Sequence, residues 1–153
     1  MRSVVSMVAL LLLLGVGILP ARASSLDDKV FDQQSIDQLE ARASQAPPRE
    51  QYFLYAELLH QMTEFSLRQY AAGDVEKASG LLKRIQSLAH KIHMSAGDDN
   101  KRLKNAEILL RHTAFRLNEM LHNSNFEDRP LVQETLAQVN QVQTEAMLQV
   151  FRK

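Results

Sequence analysis

Four stretches of the chain repeat apolar residues at intervals of three and four, and this period constrains the fold more than any other feature. Such spacing places apolar side chains on one face of an α-helix, because a helix has 3.6 residues per turn. The clearest stripe comprises Ala78, Leu81, Leu82, Ile85, Leu88, Ala89 and Ile92. The stripe before it comprises Tyr55, Leu58, Leu59, Met62 and Phe65. The later stripes comprise Leu103, Ala106, Leu110, Ala114, Leu117 and Leu121, and then Val132, Leu136, Val139, Val142, Ala146 and Val150. Four such helices bury their apolar faces by packing against one another.

Glycine and proline residues predict where these helices begin and end. Pro48 and Pro130 suit the first turn of a helix, whereas Gly73 and Gly97 suit positions just beyond a helix end. The long helices are predicted over about residues 48–72, 74–96 and 130–153, and the third of the four runs from Asp98, Asp99 or Asn100 to about Asn123.

A shorter helix is predicted before the four long ones. Ser35 and Gln38 have the spacing of a capping box, and Pro47 ends the helix at about residue 46. Short connections make successive long helices antiparallel. The predicted fold is therefore all-α: an up-down-up-down bundle of four long antiparallel helices preceded by a short N-terminal helix.

The first 23 residues are predicted to be a secretory signal peptide. Arg2 gives a positive start, residues 4–19 are almost all apolar, and Ala21-Arg22-Ala23 has the small residues of a cleavage site. This apolar run is shorter than the roughly 20 residues that span a bilayer. We therefore expect cleavage before Ser24, export to the periplasm or the cell exterior, and no membrane span afterwards. The predicted divisions are a signal peptide 1–23, an N-terminal segment 24–47 and a helical bundle domain 48–153.

The composition excludes several classes of function. The chain has no cysteine, which excludes disulfides, thiolate metal sites and covalent haem attachment through C-x-x-C-H. Without Arg2 and Arg22, 16 basic residues stand against 18 acidic ones, so the mature net charge is −2. This balance lacks the basic excess that is typical of nucleic-acid-binding proteins, so we expect no nucleic-acid partner.

The connection between the first two long helices resembles a tetratricopeptide unit. The residues that carry the resemblance are Gly73, Asp74, Val75, Glu76, Lys77, Ala78, Leu82 and Ile85. It covers about residues 62–88, departs from the family at Ser66 and Gln69, and no second copy follows. The resemblance implies a helical hairpin. The sequence leaves open whether that hairpin is generic or part of a divergent repeat-like scaffold.

Two Glu-x-x-His pairs have the spacing with which di-iron helical bundles bind metal: Glu57 with His60, and Glu119 with His122. If the helices alternate in direction, residue r of the first long helix lies level with about r+50 of the third. The two pairs are then about 18 Å apart along the bundle and cannot share a metal pair.

A second set of acids and histidines lies near one level of the helices. This set comprises Glu57, His60, His90, Glu107 and Glu145. Apart from Glu107, which borders the core, its members face away from the apolar stripes. We therefore interpret them as solvated or locally paired. The pairs expected from i,i+4 spacing are Glu57–Gln61, Glu64–Arg68 and Glu107–Arg111.

Other cofactor sites and catalytic sites have weak support in the sequence. His93 with Met62 or Met120 could ligate haem, but single histidines and methionines on helices are more often core or border residues. No local motif places a nucleophile beside a base. We predict a non-enzymatic protein without a cofactor, and keep a metal- or haem-binding bundle as the alternative.

Two surface features predict a partner. One end of the bundle collects the basic residues Arg49, Lys91, Lys101, Arg102, Lys104, Arg152 and Lys153. This end is suited to an anionic envelope component or an acidic partner, although basic residues at helix ends are also ordinary. On the outward side of the third long helix, Ile108 and Phe115 flank His112, and adjacent exposed apolar residues often mark contact surfaces.

The outward apolar residues of the first long helix have a simpler explanation, because the N-terminal segment is expected to fold over them. For Ile108 and Phe115, cover by the same chain and a dimer or partner interface both stay open. The predicted interaction surface comprises Lys101, Arg102, Lys104, Ile108, His112 and Phe115. We expect an exported interaction or structural module of the cell envelope, whose partner is an envelope protein, an anionic envelope component or a second copy of the chain.

Overall fold

A computed structural model of the chain describes residues 31–92 and 100–151, and these residues form five α-helices without any strand. The helices are α1 (Gln33–Gln45), α2 (Pro48–Ala71), α3 (Val75–Ile92), α4 (Asn100–Asn123) and α5 (Arg129–Phe151). The all-α prediction is confirmed for this part of the chain. The predicted signal peptide, and the predicted helix end at Gly97, lie outside the described residues.

The start of α1 differs from the predicted one by three residues. Asp32 is the N-cap: its carboxylate accepts a hydrogen bond from the Ser35 backbone N–H at 2.7 Å, and the Ser35 hydroxyl accepts one from the Asp32 N–H at 3.1 Å. A capping box is therefore present, but Ser35 is at its N3 position and not at its N-cap. Aspartate caps a helix as well as serine does, and the Ser35 hydroxyl serves as the second partner.

The turn from α2 to α3 has the geometry that its glycine predicts. Gly73 has φ +85°, a left-handed conformation that glycine adopts without steric cost. The Asp74 N–H donates to the Gln69 carbonyl at 2.9 Å, and this bond satisfies the end of α2. The Asp74 carboxylate then accepts from the Lys77 N–H at 3.1 Å and caps α3.

Helix α2 is the centre of the structure, because it contacts α1, α3 and α4. Helix α5 completes the arrangement by contacting α3 and α4. The core residues on these contacts include Ile36 and Leu39 of α1, Leu58 and Met62 of α2, and Ile85 of α3. As expected, the described part of the N-terminal segment, residues 31–47, packs on the outward side of the first long helix.

Side-chain contacts show the direction in which neighbouring helices run. Between α2 and α4, Glu64 meets Arg116 and His60 meets Thr113, so the two helices are parallel with an offset of 52 to 53 residues. The predicted offset was about 50. Gln143 donates to Glu107 at 3.0 Å across the hairpin of α4 and α5, which is antiparallel. The α4–α5 hairpin thus packs against α2 and α3, with α4 parallel to α2.

The packing of α1 predicts that this short helix contributes to global stability. Ile36 is fully buried, so Ile36→Ala should lower the free energy of unfolding by about 2–5 kcal/mol through lost burial and a cavity. The matched control is Gln38→Ala, an exposed position on the same helix, which should change stability by less than about 0.5 kcal/mol. Urea unfolding followed by circular dichroism measures both. Equal midpoints for Ile36→Ala and the parent protein would show that α1 does not belong to the cooperative unit.

Candidate functional site

The outward face of α4 carries the apolar part of the predicted surface. Ile108, His112 and Phe115 follow the i, i+4, i+7 spacing of one helix face. His112 is exposed and Phe115 is 60 % exposed, whereas Ile108 is half-buried. The opposite side of α4 is buried against its neighbours through residues such as Leu110 and Leu117. Within the described residues α4 contacts α2 and α5, and α1 does not reach it.

The buried stripe of α4 differs slightly from the predicted one. Thr113 and Met120 are buried, whereas the predicted Ala114 and Leu121 are half-buried. The Thr113 hydroxyl donates to the Leu109 carbonyl at 2.8 Å, which satisfies it within the helix. A threonine can therefore replace an apolar residue in the core, and a search for apolar periodicity does not detect it.

The three basic residues of the predicted surface do not act as one group. Lys101 and Lys104 are exposed, and helical spacing places them on the same side as Ile108. Arg102 instead points toward α2, where its guanidinium Nη1 lies 2.8 Å from Oε1 of Glu50. Both side chains are about 40 % exposed, so the ion pair adds little to the free energy of unfolding. It joins the N-terminal ends of α2 and α4.

A groove lies where α2 and α4 begin side by side. Its volume is about 530 Å³, and it is lined by Glu50, Phe53, Leu54, Lys101, Arg102 and Asn105. The lining combines apolar side chains of α2 with charged and amide side chains from both helices. Such a groove suits a peptide or protein side chain with an apolar body and a polar end. Arg152 and Lys153, which were predicted at the same basic end of the bundle, lie outside the described part of the chain.

His60 was predicted to be solvated or paired locally, but the structure places it against two other elements. The Phe31 ring meets the His60 ring edge-on at a centroid distance of 6.4 Å, and Nδ1 of His60 lies 3.4 Å from Oγ1 of Thr113. The imidazole is thus half-buried between the segment before α1 and helix α4. The N-terminal segment was expected on this side of α2, but the contact with Thr113 of α4 was not inferred from the sequence, because it depends on how α2 and α4 pack.

Burial lowers the pKa of His60, since the charged imidazolium loses solvent. The nearby charges oppose one another: Glu64 and Glu57 favour the protonated ring, whereas His112 and Arg116 disfavour it. The net direction is downward, so the folded protein favours neutral His60.

The polar contacts between α2 and α4 include an ion pair that the sequence analysis missed. Arg116 donates from Nε to Oε1 of Glu64 at 2.6 Å and from Nη2 to Oε2 at 3.1 Å, and it also pairs with Glu119. These bonds raise the pKa of Arg116, with the Glu64 bond as the largest cause. The predicted Glu64–Arg68 pair is wrong, because the forked guanidinium of Arg116 takes both carboxylate oxygens of Glu64. Arg68 instead donates to the Phe31 carbonyl.

The other predicted local pairs are present. Gln61 donates to Glu57 at 3.3 Å, and Arg111 lies 4.0 Å from Glu107. Glu57 also pairs with Arg42 of α1 at 3.3 Å. In the second Glu-x-x-His motif, His122 Nδ1 lies 2.7 Å from the Asn118 carbonyl.

The candidate ligands for a metal or haem are dispersed in the structure. Among residues 31–92 and 100–151, no three His, Asp or Glu side chains are grouped so that they could hold a metal ion. Met62 and Met120 are core residues. His93, the proposed haem partner of either methionine, lies outside the described residues.

The environment of His60 predicts a pH-dependent stability. Because the folded state favours the neutral ring, the unfolded chain binds more protons near pH 6.5, and stability falls as the pH drops below that value. The loss is complete once the pH passes below the lowered pKa of the folded state. His60→Gln should therefore flatten the loss of unfolding free energy between about pH 7.5 and 5.5.

The control for this measurement is His90→Gln, at an exposed position on α3, which should keep the slope of the parent protein. Urea midpoints at several pH values give both slopes. A slope that is the same in His60→Gln and the parent would contradict the burial argument.

Comparison of the chain with models of protein families, with curated proteins and with solved structures finds no match. In the portion that the structure describes, no helix is long and apolar enough to cross a bilayer. The inference of function therefore depends on the surface geometry.

Proposed function

We propose that this chain is an exported, non-enzymatic helical module that binds a protein of the cell envelope or cell exterior through the outward face of α4. In this proposal an up-down-up-down bundle of four long antiparallel helices, preceded by a short helix, is the rigid support. The observation that carries it is the exposure of Phe115 on a helix whose other sides are packed. The free energy falls when a partner covers an aromatic side chain that was exposed to water.

The contrast between α2 and α4 supports this proposal. Both helices have apolar residues on their outward sides, but α1 covers those of α2, where Ala56 is fully buried. On the outward side of α4 the corresponding apolar residues are Ile108 and Phe115, and α1 does not cover them. Packing of α1 therefore accounts for the outward apolar residues of α2 and leaves those of α4 available to a partner.

The residues around Phe115 indicate the chemistry of that partner. Lys101 and Lys104 are exposed toward one end of the same face, and His112 lies between Ile108 and Phe115. A partner with an apolar centre and acidic residues at one side complements this pattern. Aromatic residues surrounded by polar ones are common at the centres of protein interfaces.

The interface can be tested by photo-crosslinking in cells. A photoreactive amino acid at position 112 should give an adduct with another protein, and Ile108→Ser with Phe115→Ser should remove that adduct without lowering the unfolding midpoint. The matched control is Phe126→Ser, because Phe126 is 91 % exposed but lies in the turn between α4 and α5. An adduct that survives the double substitution, or no adduct at position 112, would contradict the proposed interface.

Export is a separate part of the proposal and has its own test. Mass spectrometry of the protein from the periplasmic or extracellular fraction should give a chain that begins at Ser24. Leu12→Arg places a charge inside the apolar run and should leave the full-length chain in the cytosol. Parent protein found in the cytosol with residues 1–23 attached would disprove export.

A further inference from the structure

The outward face of α5 has a regular spacing of its own. The residues at its centre line are Gln133, Ala137, Asn140, Thr144, Met147 and Phe151. All six are exposed, and they follow one another at intervals of four and three residues. This is the seam spacing of a two-stranded coiled coil. The opposite side of α5, which includes Val139 and Ala146, is buried against its neighbours in the chain.

The composition of this face is unusual for a helix surface. Residues 135–151 contain one charged side chain, Glu145, and it is half-buried. Leu148 is 59 % exposed and Phe151 is 77 % exposed. Solvent-facing helix positions are normally rich in Lys, Glu and Arg, which keep a face in water. A seam without charge, with apolar residues at one end, is typical of a contact surface.

We propose that two copies of the chain associate through this face, with their α5 helices packed antiparallel about a two-fold axis. The seam is symmetric about the level of residue 142, so it meets itself in register when one helix is reversed. Ala137 then lies opposite Met147 of the second copy, and Asn140 lies opposite Thr144. The small Ala137 thus faces the large Met147, and the Asn140 amide faces the Thr144 hydroxyl, with which it can form a hydrogen bond. At the ends of the seam, Gln133 faces Phe151.

A second copy fits this face better than an unlike partner because the face is uncharged. A surface that meets itself also meets its own charges, and like charges across an interface are costly. The seam avoids that cost. Glu134 is the exposed acid beside it, and in the reversed arrangement the two Glu134 side chains are about 24 Å apart along the helices. By contrast, α4 exposes basic residues that favour a partner of opposite charge.

The size of the seam indicates how tight this dimer is. From Gln133 to Phe151 the helix is about 27 Å long. Six centre-line residues per copy make this a small contact, below the roughly 20–30 residues a side of a standard interface. We therefore expect a reversible dimer with a dissociation constant in the micromolar range. The proposal does not depend on the function proposed for α4, because the two faces are on different helices.

Charge substitutions on opposing positions test both the face and its direction. Sedimentation equilibrium of the mature protein should show a monomer–dimer equilibrium. Ala137→Glu and Met147→Lys should each weaken association by about tenfold or more. The double variant should recover affinity to near the parent value, since the carboxylate introduced at position 137 would face the ammonium group introduced at position 147 of the second copy. Within one chain these positions are about 15 Å apart, so they cannot pair with each other.

The control is Ser87→Lys, at an exposed position on α3, which should leave association unchanged. Circular dichroism at each concentration shows that all variants stay folded. A parent protein that remains monomeric up to millimolar concentration would overturn the proposal. So would equal weakening by Ser87→Lys, or a double variant weaker than both single ones, which is the result expected of a parallel pair.

Discussion

The burial of α2 on three sides determines the rest of this structure. Residues on several faces of α2 are withdrawn from water, from Tyr52 and Ala56 to Met62 and Phe65. A helix with apolar side chains on most of its circumference needs several neighbours, and here they are α1, α3 and α4. Once α2 holds these three, α5 packs in the angle between α3 and α4. The outward faces of α4 and α5 are among those that the described chain leaves uncovered.

Polar contacts select the particular alignment of these helices. Hydrophobic burial is not directional, so it brings helices together without fixing their offset. Between α2 and α4 the offset is defined by the two-point bond of Arg116 to Glu64. Just beyond α4, the Asn125 N–H donates to the Tyr70 hydroxyl of α2. The pairs are partly exposed, so their net energy is modest. Their effect is to favour one alignment over a slipped one.

The outward faces of α4 and α5 differ in chemistry, and this difference determines which kind of partner each face favours. The α4 face combines Phe115 and Ile108 with histidine and lysine, and so it favours an unlike partner with acidic residues. The α5 face has no charge along its centre line and suits a second copy. A module with both faces would present two α4 surfaces per dimer. Two linked contacts bind a partner with two matching sites more strongly than one contact does.

The sequence by itself determined the helices, because helix formation and helix ends depend on residues close in the chain. The spacing of apolar residues, Pro48 and Gly73 were sufficient to place α2 and its turn, and the outward position of Phe115 followed from the same spacing. Its exposure depended on α1 packing against α2 and not against α4. The tertiary structure alone decided which helices became neighbours. It placed Phe31 against His60, paired Glu64 with Arg116 instead of Arg68, and buried Thr113 in a stripe where Ala114 was expected. Periodicity defines a face only relative to its own helix axis, and long polar side chains choose among partners that are distant in sequence. Those partners exist only after the hairpins have stacked.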